Sequence, residues 1–162
     1  PIRCSARLSV ANETMNSVCG EVRWALRKAD SSVIREGSQK VSVEALSSLW
    51  LDEMVFEDAE LLDNYLSFAF VMDGETVSDG TVIFCAPKHF HFEDPCLTVE
   101  RIGDEIIVKS NAYAKSVCIE SDDADMLLSD NYFDMNAGCK TIRILEGCKN
   151  RTSLDNLQSS SP

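Results

Sequence analysis

The chain has 162 residues, 44% of them hydrophobic and 26% charged, enough apolar material for one large domain or two small ones. Its 27 acidic residues outweigh 15 Lys and Arg, leaving a net charge of −12. That excludes the clustered cations that nucleic-acid phosphates require and argues equally against an anionic membrane. No apolar run approaches the roughly 18 residues of a membrane span, and no secretory h-region opens the chain.

In chain order, residues 3–10 alternate weakly around Leu8 and Val10, and Asn12–Asn16 form a polar turn. Val18–Leu26 reads as a strand with Val22, Trp24 and Leu26 on one face and Glu21 and Arg23 on the other. Trp24 is therefore expected in a core, where sandwich folds keep a tryptophan. Lys28–Ser32 turn the chain, Val33-Ile34 start a short return, and Val41, Val43 and Ala45 form a further alternating run. Trp50 falls out of phase with Leu49 and Leu51 and is expected as an exposed aromatic contact. Asp52–Asp63 fit either a helical turn or a strand-edge loop. Tyr65–Met72 form a strong strand, Asp73-Gly74 a tight turn, Asp79-Gly80 a second turn, and Thr81–Cys85 the next strand, which Pro87-Lys88 end.

Beyond Pro95 the pattern restarts. Leu97, Val99 and Arg101 alternate, Gly103-Asp104 turn, and Glu105–Lys109 return as a hairpin. Tyr113–Ile119 make another strand, followed by an acidic turn at Ser121-Asp122-Asp123. In Ser129–Gly138 a turn at Asp130 and Asn131 precedes the aromatic anchors Tyr132 and Phe133, and Asn136-Ala137-Gly138 turns again before the β-branched run Thr141–Leu145. Helical periodicity is nearly absent. The expected architecture is all-β: two sandwiches in tandem, residues 1–90 and 91–149, then a flexible polar tail, residues 150–162. The opening Pro1 fits a piece of a longer protein.

Seven cysteines occur without a CxxC pair or His-x3-His, so zinc ligation is not indicated and most read as small buried hydrophobes in a reducing, cytoplasmic setting. His89 and His91 share a strand face but lack a third ligand. Asp130 and Asp134, with Asp122, Asp123 and Asp125, outline a conceivable calcium loop, but backbone capping by Asp130 and Asn131 is the simpler role. No metal and no cofactor are expected.

The segment Ser129-Asp130-Asn131-Tyr132-Phe133-Asp134-Met135 resembles the Ser-Asp-Asn-Tyr/Phe-Phe-Asp-Leu stretch in the last domain of glycoside hydrolase family 2 β-mannosidases. Gly20-Glu21-Val22-Arg23-Trp24-Ala25-Leu26 is similar to that family's Gly-x-Val-x-Trp-x-Leu strand, and Ala86-Pro87-Lys88-His89-Phe90 resembles its entry into the last domain. Where the family continues with Pro-Gly-Glu, this chain has Ala137-Gly138-Cys139. The resemblance implies two immunoglobulin-like domains lying after a catalytic barrel. It implies a parent that removes terminal β-linked mannose with retention, and a catalytic barrel in the same parent chain as the partner. It also implies an oligosaccharide at the rim as a further partner. Related family 2 enzymes act on β-galactosides and β-glucuronides.

No catalytic residue is expected in the chain itself. Retaining glycosidases use two carboxylates about 5 Å apart, which in the resembled family are glutamates on a barrel of about 250 residues. Asn12-Glu13 copies the Asn-Glu order of its acid/base but lies in a polar turn. A carbohydrate-binding sandwich and a fibronectin-like interaction module are the rival readings. The 7% aromatic content and the odd cysteine count weigh against them respectively.

Overall fold

The computed structural model describes residues 3–121, 126–146 and 157–160. The chain divides into two units, one of residues 1–28 and 32–91, the other of residues 29–31 and 92–162. Among the described residues, apart from one 3-10 turn at Pro87–His89, the regular structure is strand throughout.

In the first unit the strands are β1 (Cys4–Ala6), β2 (Ser9–Asn12), β3 (Val18–Lys28), β4 (Val33–Val43), β5 (Ser47–Trp50), β6 (Met54–Phe56), β7 (Asn64–Met72) and β8 (Glu75–Ile83). A four-stranded antiparallel sheet runs β4-β3-β7-β8, and β1 pairs with β6 and β2 with β5. Leu8, Val10 and Leu51 pack with Val22, Val41 and Val43 to form the main core. Met54–Phe56, inside the segment expected as a helical turn or loop, is a short strand on β1.

One transverse row organises the sheet. Trp24 lies opposite Gly37 on β4 and Phe68 on β7, and Phe68 lies opposite Gly80 on β8. Two aromatics thus occupy the centre with a glycine on either side. A Cβ at Gly37 would meet the Trp24 ring at 2.6 Å, and one at Gly80 would meet the Phe68 ring at 2.8 Å. The glycines are the space the rings fill, a known use of glycine within strands. This corrects the second expected turn: Asp79-Gly80 sits inside β8. At Asp73-Gly74 the turn is real, with φ of 51° and 84° on both central residues, as type I′ hairpins require. The return expected as short runs is a single strand, β4, whose polar middle Arg35–Lys40 masked its continuity.

The second unit holds β9 (Thr98–Ile102), β10 (Glu105–Ser110), β11 (Ala114–Ser121), β12 (Leu127–Leu128), β13 (Phe133–Met135), β14 (Gly138–Glu146) and β15 (Leu157–Ser160). Its sheets run β12-β14-β10-β9 and β13-β11-β15. Ile106, Val108, Val117, Ile119, Phe133 and Ile142 form the core between them. Gly103, with φ of 61°, opens the two-residue β9–β10 turn. The tail expected to be flexible contributes β15, antiparallel to Cys118–Ser121, because the edge of β11 offers unpaired backbone groups. The rest of the tail lies outside the described residues.

Candidate functional site

In the first unit a groove of about 430 Å³ runs between β2 and β7–β8. Val10, Val22, Phe68 and Phe70 are among its apolar wall, and Arg7 and Glu13 stand on the polar side. Among the described residues β2 pairs only with β5 and β8 only with β7, so each turns an unpaired backbone edge outward. At one end the buried Asn12 holds a loop. Its amide donates to Asn16 O at 2.8 Å, Glu44 O at 2.9 Å and Val43 O at 3.2 Å, and its oxygen accepts from Thr14 N at 3.0 Å and Thr14 Oγ1 at 2.7 Å. The amide of the Asn12-Glu13 pair is thus committed to structure, while Glu13 is exposed.

Trp50 stands beside this groove, opposite Ser9 of β2 and 59% exposed. Leu51 is buried and Leu49 half-buried, so the alternation of an extended chain sends the intervening Trp50 outward. The Arg7 guanidinium lies 5.4 Å from its ring centroid, and Arg7 Nε donates to Leu51 O at 2.9 Å. That bond fixes the cation over one indole face, so the exposed Trp50 ring is held in place before anything meets it. Trp24, by contrast, packs inward against both cores of the unit and meets Phe56 edge-on at 5.7 Å.

The Asp130–Asp134 motif serves structure in the second unit. Asn131 Oδ1 accepts from Ile119 N at 2.8 Å and its Nδ2 donates to Ile119 O at 3.1 Å. The side chain thereby pairs with both backbone groups of one strand residue, as a neighbouring strand would. Asp134 supports a bulge in β11, where Ser116 has φ of 53°. Its Oδ1 accepts from Ser116 N at 2.8 Å and its Oδ2 from Lys115 Nζ at 2.9 Å. Asp130 was expected to cap backbone but instead meets Lys140 Nζ at 2.9 Å. Phe133 is buried beneath the Lys140 ammonium, 4.3 Å from its ring centroid. Tyr132, expected beside it in the core, is 71% exposed, because it sits at a bend with φ of 59°, one residue before β13 begins, and the left-handed turn sends its ring outward. A hydrogen bond to Cys118 and the charge of that neighbour raise the Tyr132 phenol above its ordinary pKa.

Asp122, Asp123 and Asp125 lie outside the described residues, as does Cys148. Among the described residues no three His, Cys, Asp or Glu side chains gather as a metal site. His91 Nδ1 pairs with Asp63 at 2.8 Å, and His89 is exposed on the 3-10 turn. Cys4 and Cys118 are buried and Cys85 half-buried, but Cys19, Cys96 and Cys139 face outward. Burial, then the charge of Cys85, raises the Cys4 thiol pKa.

Two family models match in succession. One, described as a mannosidase Ig/CBM-like domain, covers residues 5–89, and the other, an Ig-fold domain, covers residues 92–161. Among solved structures, the β-D-mannosidase of Dictyoglomus thermophilum superposes on 99% of this chain with a TM-score of 0.76 at 13% identity. At that identity the likeness speaks for the fold. The match occupies 21% of that enzyme's chain, so the present chain spans about a fifth of its length. No curated relative matches.

Proposed function

The chain belongs to the mannosidase Ig/CBM-like domain family, and from that membership we propose that it is the C-terminal, non-catalytic part of a β-mannosidase-like glycoside hydrolase whose catalytic barrel it packs against. The observation that carries this reading is the unbroken succession of the two matched domains over nearly the whole chain. The parent would hydrolyse terminal β-linked mannose with retention, from carboxylates outside this chain. In this reading the groove between β2 and β8, with the preset Arg7–Trp50 pair beside it, is the face that the remainder of the parent covers. An apolar trough bounded by two free strand edges suits an extended segment, which gains backbone bonds and buries alternate side chains. Tryptophan and arginine are the residues that most often anchor such contacts. Three exposed thiols suit a reducing, cytoplasmic location for the parent.

Trp50→Ala in the full parent tests the contact. The expected result is a loss of about 2 kcal/mol or more in the stability with which this region docks, with the unfolding of the isolated 162-residue chain nearly unchanged. An equal, large loss in both would place Trp50 in the fold itself.

A second reading, a carbohydrate-binding module, is favoured by the open face of Trp50. Titrating mannobiose while following indole fluorescence separates the two. A saturable shift that Trp50→Ala abolishes supports sugar binding, and a flat response at millimolar sugar removes it.

A further inference from the structure

The outer edge of β4 carries an inference independent of the parent's chemistry. β4 is the terminal strand of its sheet, and among the described residues no strand pairs with its far side. From Arg35 to Val43 its ladder with β3 is regular, the one irregularity lying where Arg27 pairs with Val33. Ser38, Glu36 and Lys40 are exposed, and Val33 and Ile34 are 46% and 37% exposed. At its far end Asn12 Nδ2 bonds Val43 O, which leaves Arg35–Val41 as a regular edge without a strand partner among the described residues, a template for a further strand.

The sequence of this edge is complementary to itself. When two copies of Arg35–Val41 run antiparallel about Ser38, Glu36 of each copy stands opposite Lys40 of the other. Both side chains belong to the face away from the Trp24–Phe68 row, so the two pairs form on one side of a continuous sheet. Gly37 meets Gln39 and Ser38 meets Ser38, so no bulk stands at the crossing. Other registers fare worse. Centring on Glu36 or on Lys40 sets like charges against each other, and centring on Gly37 or Gln39 leaves Glu36 or Lys40 facing serine. Within its own sheet Lys40 pairs across from Glu21, so a second carboxylate would complete an alternating row of charge.

We propose that β4 is a homodimerisation edge, joining two copies of this chain through an isologous antiparallel pairing centred on Ser38 and fixed in register by two Glu36–Lys40 pairs. The contact is closed: each copy uses the same edge once, so it yields a dimer and not a fibre.

Charge reversal tests it, because both side chains are exposed; Glu36→Lys is the cleaner change, since Lys40 also faces Glu21 within its own sheet. Sedimentation velocity on the 162-residue chain over a concentration series should show a reversible dimer. Glu36→Lys alone, or Lys40→Glu alone, turns both pairs repulsive and should weaken the dimer about tenfold or more. The double variant Glu36→Lys/Lys40→Glu should restore the original dissociation constant. Circular dichroism should give the same fold for all four proteins. A chain that stays monomeric throughout the series overturns the proposal. So does a dimer indifferent to the single reversals, or one that the double variant fails to restore.

Discussion

The two units solve the same problem, closing a β-sandwich, by different means. The first uses long strands and apolar complementarity: the Gly37–Trp24–Phe68–Gly80 row spans four strands, and side-chain volume fills the space that glycine vacates. The second uses shorter, interrupted strands, and polar side chains finish the ladders. Asn131 substitutes for a backbone partner of Ile119, and Asp134 supports the bulge at Ser116. Where strands are regular, shape specifies the register. Where they are broken, hydrogen bonds must. The difference teaches that stability in the first unit should respond to changes of volume, and in the second to loss of acceptors and donors.

The largest expected effect follows from removing volume in the first unit. Leu26 is fully buried, and Leu26→Ala should cost about 2–5 kcal/mol in urea unfolding. Next comes adding volume at a glycine. Alanine ordinarily improves on glycine in a strand by about 0.5–1 kcal/mol. At Gly80 the new Cβ would press on the Phe68 ring, so Gly80→Ala should instead destabilise by about 1–3 kcal/mol. A stabilised Gly80→Ala protein would break the contrast between the two units.

In the second unit the sharper change is polar. Asp134→Ala removes the acceptor from Ser116 N and the partner of Lys115, and should cost about 1–3 kcal/mol. Asp130→Ala removes only the more exposed pair with Lys140 and should cost at most about 1 kcal/mol. If the two aspartates proved equivalent, the assignment of the bulge to Asp134 would be wrong. The smallest effect is alkaline. The Tyr132 phenol has a raised pKa, first through its bond to Cys118. Its contribution is therefore present below the unfolded-state value near 10 and lost as pH rises through the folded-state value. Tyr132→Phe should flatten that part of the stability profile in denaturant titrations at successive pH values.

Much of the architecture was legible in the residues, for reasons that also explain the failures. Period-two alternation in Val18–Leu26 and Tyr65–Met72 is a local signal, and both segments are strands. Asp73-Gly74 and Asp79-Gly80 are the same dipeptide with opposite fates. The first turns because its residues take positive φ. The second stays extended because Phe68 lies across from Gly80, a partner twelve positions away in sequence that no local pattern announces. The polar middle of β4 hid a strand for a similar reason, since an edge exposed on both faces has no alternation to show. At the candidate face, the phase of Trp50 against its leucines was readable, but its pairing with Arg7 was not. In the Asp130–Asp134 motif the residue types suggested capping, but which acid would do it depended on a bulge in a distant strand.

The proposal that this chain is the non-catalytic part of a β-mannosidase-like hydrolase requires that the active site lie outside these 162 residues, in the rest of the same polypeptide. Assaying an aryl β-mannoside with the purified 162-residue chain beside the full-length parent tests it most directly. The account predicts turnover by the parent and none by the chain. Hydrolysis by the chain that persists through repeated purification and scales with its concentration would contradict it.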